Sequence, residues 1–299
     1  MMSQQAKPGI IVTGANGQLG RELRDLAEKH PSYTFSFFSR DELAIDDREH
    51  VSKIFSELKP SWLINCAAYT AVDKAENEKE KAFLINAQAA GLLAAACSRE
   101  RCRMIHISTD YVFDGTSEKP LKETDPTGPI NIYGASKLAG EKEVMEHNPD
   151  AIIIRTAWVY SAYGNNFVKT MLRLMSEKEL INVVDDQIGS PTYAKELAEA
   201  ILFIIESGKN AGGIFHYSSE GKISWYQFAL AIKEITGSSC IVSPIPSSGF
   251  PTPAKRPGYS LLDKTKIKTV YGLSIPGWRT GLEKCFEKIQ ALKSGEQKN

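Results

Sequence analysis

Gly14, Gly17 and Gly20 stand between the apolar run Gly9-Ile10-Ile11-Val12-Thr13 and the amphipathic run Arg21-Glu22-Leu23-Arg24-Asp25-Leu26-Ala27. A strand that ends in a glycine turn and leads straight into a helix leaves few folds open. Glycine allows the tight turn and lets the following helix N-terminus come close to a ligand. Uncapped N–H groups there attract a phosphate, so the turn predicts nucleotide binding through Gly14, Asn16, Gly17, Gln18, Leu19 and Gly20. The spacing is three and three, which differs from the common G-x-G-x-x-G fingerprint.

The strand-then-helix pattern repeats. Apolar strands are expected at 33–38, 62–68, 103–107 and 151–155, and helices at 49–58, 73–99 and 133–145. Short continuous apolar strands alternating with helices predict an α/β fold, a doubly wound parallel sheet covered on both faces. This dinucleotide-binding part is expected to occupy 1–160. Residues 161–299 should form mostly a smaller substrate domain, with the helix near 193–206 packing back on the sheet. Further helices are expected at 166–175, 263–270 and 277–289, and a short strand at 181–184. Five prolines between residues 243 and 259 predict a surface-laid segment there.

Lys plus Arg and Asp plus Glu both total 36, a balance that gives no basic surface for nucleic acid or anionic membrane. No apolar run reaches the roughly 18–20 residues of a bilayer span, and the first residues lack a signal-peptide core. The five cysteines show neither CxxC nor zinc spacing, which fits reduced thiols in the cytoplasm.

The second strand ends in Ser39-Arg40-Asp41. Arg40 can pair with a 2′-phosphate, which favours NADPH; Asp41 could instead take the ribose hydroxyls of NADH. Downstream, Tyr133 and Lys137 are four apart, which on a helix puts them on one face. Ser108-Thr109-Asp110 precede them at the end of an apolar strand. A phenol beside an ammonium is a tunable acid, and a strand-end hydroxyl can bind the carbonyl next to it.

Glycine turn, strand-end threonine and YxxxK, in this order, resemble the extended short-chain dehydrogenases/reductases of Rossmann fold. Longer stretches are similar to the dTDP-4-dehydrorhamnose reductase family. They are Ala67-Ala68-Tyr69-Thr70-Ala71-Val72-Asp73, Ser108-Thr109-Asp110-Tyr111-Val112-Phe113-Asp114-Gly115, Asn131-Ile132-Tyr133-Gly134-Ala135-Ser136-Lys137, Arg155-Thr156-Ala157-Trp158 and Pro253-Ala254-Lys255-Arg256-Pro257. The resemblance implies NADPH-dependent reduction of a 4-keto sugar carried on dTDP, with Thr109, Tyr133 and Lys137 catalytic. It implies that Ala67, Ala68, Asn86, Tyr133 and Lys137 line the cofactor site beside Ser39 and Arg40. Val72, Asp110, Trp158 and Arg256 would meet the nucleotide sugar.

Other activities stay open at this point. A 4,6-dehydratase would carry glutamate after Asp110, where this chain has Tyr111. A 4-epimerase shares the triad, and a non-catalytic regulatory subunit of methionine adenosyltransferase shares the fold. Some relatives form a homodimer through magnesium held by surface glutamates. Glu22 fits one such place, but Lys195 stands where a second glutamate is expected, with Glu196 beside it, and no metal site is assigned.

Overall fold

The computed structural model describes residues 7–296. The chain runs through β1 (Gly9–Thr13), α1 (Gln18–Ala27), β2 (Thr34–Phe38), α2 (Arg48–Leu58) and β3 (Trp62–Asn65). It continues with α3 (Val72–Ala75), α4 (Lys79–Phe83), a π-turn at Leu84–Gln88, α5 (Ala89–Arg99) and β4 (Arg103–Thr109). A 3-10 turn at Asp110–Val112 leads to α6 (Ile132–His147), β5 (Ile152–Thr156) and β6 (Val159–Tyr160). Then come α7 (Phe167–Glu177), β7 (Leu180–Val184), β8 (Ile188–Gly189), β9 (Thr192–Tyr193), α8 (Ala194–Glu206) and β10 (Gly213–His216). The last elements are β11 (Ile223–Ser224), α9 (Trp225–Thr236), β12 (Ile241–Ile245), α10 (Thr265–Tyr271) and α11 (Trp278–Glu296).

Six strands form one parallel sheet in the order β10-β5-β4-β3-β1-β2. The chain leaves β1 in one direction to β2 and returns to place β3 on the other side. That reversal opens a crevice between the carboxyl ends of β1 and β3, where such sheets bind ligands. Strand alternation sends Ile10, Val12 and Ile64 to a core shared with Leu23 of α1 and Leu197 and Ile201 of α8. Ile11, Leu63 and Met104 point the other way, onto Phe55, Leu93 and Val144. Each such side chain contributes about 1.5–3 kcal/mol on burial, so the two apolar layers, not the loops, set the position of the strand ends. A second core joins Val168 and Met171 of α7, Phe228 and Ile232 of α9, and Leu282 and Cys285 of α11.

One expectation needs correction. The segment 73–99 is not one helix: it breaks after α3 and winds into a π-turn before α5. A side chain at Gly140 of α6 would overlap the Asn86 carbonyl, so helix α6 presses directly on that turn. Residues 243–245 lie at the surface, outside the six-stranded sheet, as part of β12, which pairs in parallel with β7. Pro244 is tolerated because this sheet has two strands only and its missing N–H faces no partner strand. The span Lys79–Arg99 is, by length and composition, apolar enough to cross a membrane, yet 56% of it is buried here. Its α5 part packs against α2 and α6. Strand β10 and helix α9 were not anticipated.

Candidate active site

The glycine turn closes the amino side of the crevice. Gly14 has φ +66°, and a Cβ there would lie 2.7 Å from the Ala67 nitrogen at the end of β3. A Cβ on Gly20 would run into the Gly14 carbonyl and stand 2.8 Å from Ala15 Cα. Both positions therefore require glycine for α1 to start so close to the strands. Gly17 caps α1 without a side-chain bond, and its first turn carries no acidic residue. Free N–H groups, no competing carboxylate and a cradle that a Cβ would fill suit a dinucleotide pyrophosphate. Leu19 turns its side chain into the core, so only its backbone faces this turn. Asn16 is exposed, while Gln18 accepts from Asn166 Nδ2 at 2.9 Å and so ties the turn to the start of α7.

A cavity of about 510 Å³ opens beside the turn, lined by Ala15, Asn16, Ser39, Glu42, Arg21 and Arg24, among others. Ser39 lies in it as expected, but Arg40 does not line it. The cations there are Arg21 and Arg24, one and two turns into α1, with Arg24 over the Phe37 ring at 4.7 Å. Sequence reasoning missed both, although their spacing from Gly17 places them on the turn side of the helix. Glu42 accepts the Ser39 N–H at 2.7 Å, and this bond with the Ser39 side-chain bond holds its carboxyl below the usual range.

Loop Ala67–Tyr69 forms the floor. Ala67 and Ala68 are half-buried there. Asn86, in the π-turn, accepts from Tyr69 N at 2.8 Å and donates to Tyr69 O at 3.0 Å and Ser136 Oγ at 2.9 Å. Its amide is thus committed to holding the loop against α6 from behind.

The chemical groups converge where β4 ends. Asn131 caps α6 by accepting the Gly134 N–H at 2.7 Å, which starts the helix against the 3-10 turn. Tyr133 and Tyr111 meet edge to face with centroids 5.7 Å apart. Burial pushes the Tyr133 phenol up to about 12, against a lowering hydrogen bond from Thr109; Asp110 raises it further. Burial therefore holds Tyr133 as a neutral phenol in the protein alone, and the Lys137 ammonium donates to the Ile107 carbonyl at 2.6 Å. Burial draws Lys137 itself down to about 8. Thr109 Oγ1 accepts the Tyr111 N–H at 3.2 Å and donates to Asp110 at 3.1 Å. Asp110 is buried, its Oδ2 has no hydrogen-bond partner, and burial pushes its carboxyl up to about 6 despite bonds from Ser260 and Thr109.

Among the residues assigned to substrate, Val72 begins α3, half-buried at the rim. Trp158 has a left-handed backbone, φ +49°, and stacks on Trp225 at 3.7 Å. Arg256 is not free: it forms a two-pronged pair with Asp73. Glu22, assigned to a surface, is buried instead, because α11 crosses it. It accepts from Ser161 Oγ and Lys288 Nζ, both at 2.6 Å. Glu196 is buried as well, beside half-buried Lys195.

A phenol, a strand-end hydroxyl and a buried lysine beside a glycine turn that opens a helix are the arrangement of an NAD(P)-dependent oxidoreductase of the extended short-chain dehydrogenase/reductase type. Residues 8–291 match the model of the RmlD substrate binding domain. The chain is 41% identical to a dTDP-4-dehydrorhamnose reductase of Burkholderia thailandensis, over 94% of this chain and 98% of that one. It is 39% identical to a dTDP-4-keto-6-deoxy-D-glucose reductase of Streptomyces niveus, over 95% and 98%. A crystal structure of dTDP-4-dehydrorhamnose reductase from Bacillus anthracis in complex with NADP superposes with TM-score 0.91 at 41% identity, covering 95% of this chain and all of that one. The chain belongs to the dTDP-4-dehydrorhamnose reductase family.

Proposed function

We propose that this enzyme reduces the 4-keto group of dTDP-4-dehydro-L-rhamnose to give dTDP-L-rhamnose, with NADPH as reductant. The observation that carries the reading is Tyr133 and Thr109 side by side at the end of β4, the phenol kept neutral and ready to donate. When bound in the crevice, the dinucleotide would supply the hydride for C4 of the sugar. Tyr133 passes its proton to the nascent alkoxide, Thr109 turns its hydroxyl to that oxygen, and Lys137 holds the nicotinamide ribose and stabilises the phenolate. Val72, Asp110, Trp158 and Arg256 orient the nucleotide sugar, so that binding energy from the remote nucleotide fixes the reacting carbon.

Preference for NADPH is supported by Arg21 and Arg24 in the cavity beside Ser39, where a 2′-phosphate finds two cations. The Ser39-Glu42 bond is the opposing element, since a carboxylate there suits ribose hydroxyls. We place the enzyme in the cytoplasm, where its five cysteines, all free, stay reduced.

The test is steady-state oxidation of NADPH and NADH with dTDP-4-dehydro-L-rhamnose and with dTDP-4-keto-6-deoxy-D-glucose. Faster turnover of the first sugar, with NADPH, supports the reading. Turnover of the second sugar alone would move the enzyme to the activity of the Streptomyces niveus relative. Cofactor binding with no oxidation would leave a regulatory subunit.

A further inference from the structure

Thr13, Asn65 and His106 stand in register on the neighbouring strands β1, β3 and β4. Each is 1% exposed, beside the apolar Val12, Ile64 and Ile105 that precede them on the same strands. Polar groups so placed must satisfy one another. Thr13 Oγ1 donates to Asn65 Oδ1 at 2.7 Å, and the Ala67 N–H donates to the same oxygen at 3.2 Å. A backbone N–H can only donate, so the oxygen of the Asn65 amide is fixed on that side. Its Nδ2 then faces His106 Nδ1 at 2.9 Å and donates to it. Nδ1 is the acceptor, so the ring carries its proton on Nε2. Burial and the nearby lysine hold this imidazole well below its ordinary range, which keeps it singly protonated.

Nε2 lies 3.5 Å from Lys137 Nζ. An N–H and an ammonium that face each other at that separation repel, whereas an uncharged amine would accept the N–H. We propose that His106 is a positioning residue for Lys137, its tautomer set by Asn65, and that the Nε2–H it presents weakens the hold of Lys137 on its third proton. The proposal rests on the reading of Lys137 as part of the reductive site.

Burial lowers the amine most, with Glu141 and Cys66 opposing it and the Ile107 carbonyl accepting from the ammonium at 2.6 Å; the His106 N–H acts on top of these. Glu141, one turn further along α6, gives its carboxylate to Arg155 of β5 at 2.7 and 2.8 Å and to Ser108 of β4 at 2.5 Å. Cys66, just past β3, is held as the thiol by burial. Tyr133, one turn back, is the neutral phenol described above. The consequence is mechanistic. Once Tyr133 has given up its proton, Lys137 is a stronger acid than a solvated lysine and returns one. An N–H bond at Lys137 breaks, an O–H bond at Tyr133 forms, and the amine regains its proton from water.

The first readout needs no substrate. In the full-length protein labelled with 15N-histidine, a long-range proton–nitrogen spectrum shows which nitrogen of His106 is protonated, with His106→Gln identifying the signal. A bare Nδ1 and protonated Nε2 are expected; a proton on Nδ1 would overturn the proposal whatever the substrate proves to be. The second readout is Asn65→Asp. A carboxylate accepts the Nδ1 proton, inverts the tautomer and lets the ammonium donate to Nε2. The basic limb of the kcat profile should then rise by about one pH unit with KM unchanged. An inverted tautomer with an unmoved limb would show that His106 does not govern Lys137.

Discussion

Arg256 reaches Asp73 across 183 positions of sequence and donates to both carboxylate oxygens at 2.7 Å. The pair pins the proline-rich segment to α3 at the rim of the crevice, and Nη1 donates also to the Ala254 carbonyl at 2.6 Å. Lysine at this position keeps the charge but loses the fork. Arg256→Lys should raise KM for the nucleotide sugar about tenfold, near 1.4 kcal/mol, and leave kcat close to wild type. The pair is partly exposed, so stability should change by no more than about 1 kcal/mol. Steady-state kinetics and a thermal melt check both; an unchanged KM would place this segment outside the substrate site.

Gly14 combines a left-handed backbone with a Cβ position 2.7 Å from Ala67 N. Gly14→Ala should cost about 1–3 kcal/mol of stability from strain and weaken NADP binding at least about tenfold by pushing the turn off the β3 end. Calorimetric titration with NADP reads the second effect, and unchanged affinity would contradict the assignment of this turn to the pyrophosphate.

Arg155 and Glu141 form a buried pair, their side chains 2% and 3% exposed. Glu141→Gln leaves the guanidinium without its counter-charge, and such losses cost about 3–5 kcal/mol. A clear fall in the denaturant midpoint is expected. A midpoint within error of wild type would mean that β5 and α6 are not held by this pair.

Asp110 is raised by burial from 3.8 to about 6. A carboxyl raised in the folded state contributes stability that is present below pH 4 and lost as pH rises through about 6. The loss amounts to about 2–3 kcal/mol at neutral pH. Asp110→Asn should therefore be more stable than wild type above pH 6, with the difference shrinking in acid. Urea titrations across this range test it; parallel curves would show that the carboxyl is not strained.

Legibility followed the range of the physical signal. The glycine turn, β1 to β5 and the helix bearing Tyr133 and Lys137 were readable because apolar runs and local spacing carry them. Strand β10, with the sequence Gly-Ile-Phe-His, has a short run and a glycine start, so it joins the sheet without announcing itself. The π-turn at Leu84–Gln88 lies in a stretch whose composition is uniformly helical, and only the approach of Gly140 marks it. Partnerships over long separations leave no local trace: Asp73 with Arg256, or Glu22 with Lys288 across 266 positions. Cavity-lining Arg21 and Arg24 had a signal, their spacing from Gly17 along α1, but Arg40 at the strand end drew the assignment.

Tyr133→Phe removes one oxygen and keeps the ring against Tyr111. Measured by the loss of dihydronicotinamide absorbance with dTDP-4-dehydro-L-rhamnose, kcat should fall by about two to four orders of magnitude, while NADP affinity stays within about twofold of wild type. Near-wild-type turnover in this variant would contradict proton donation by Tyr133, and with it the reductive mechanism built on the end of β4.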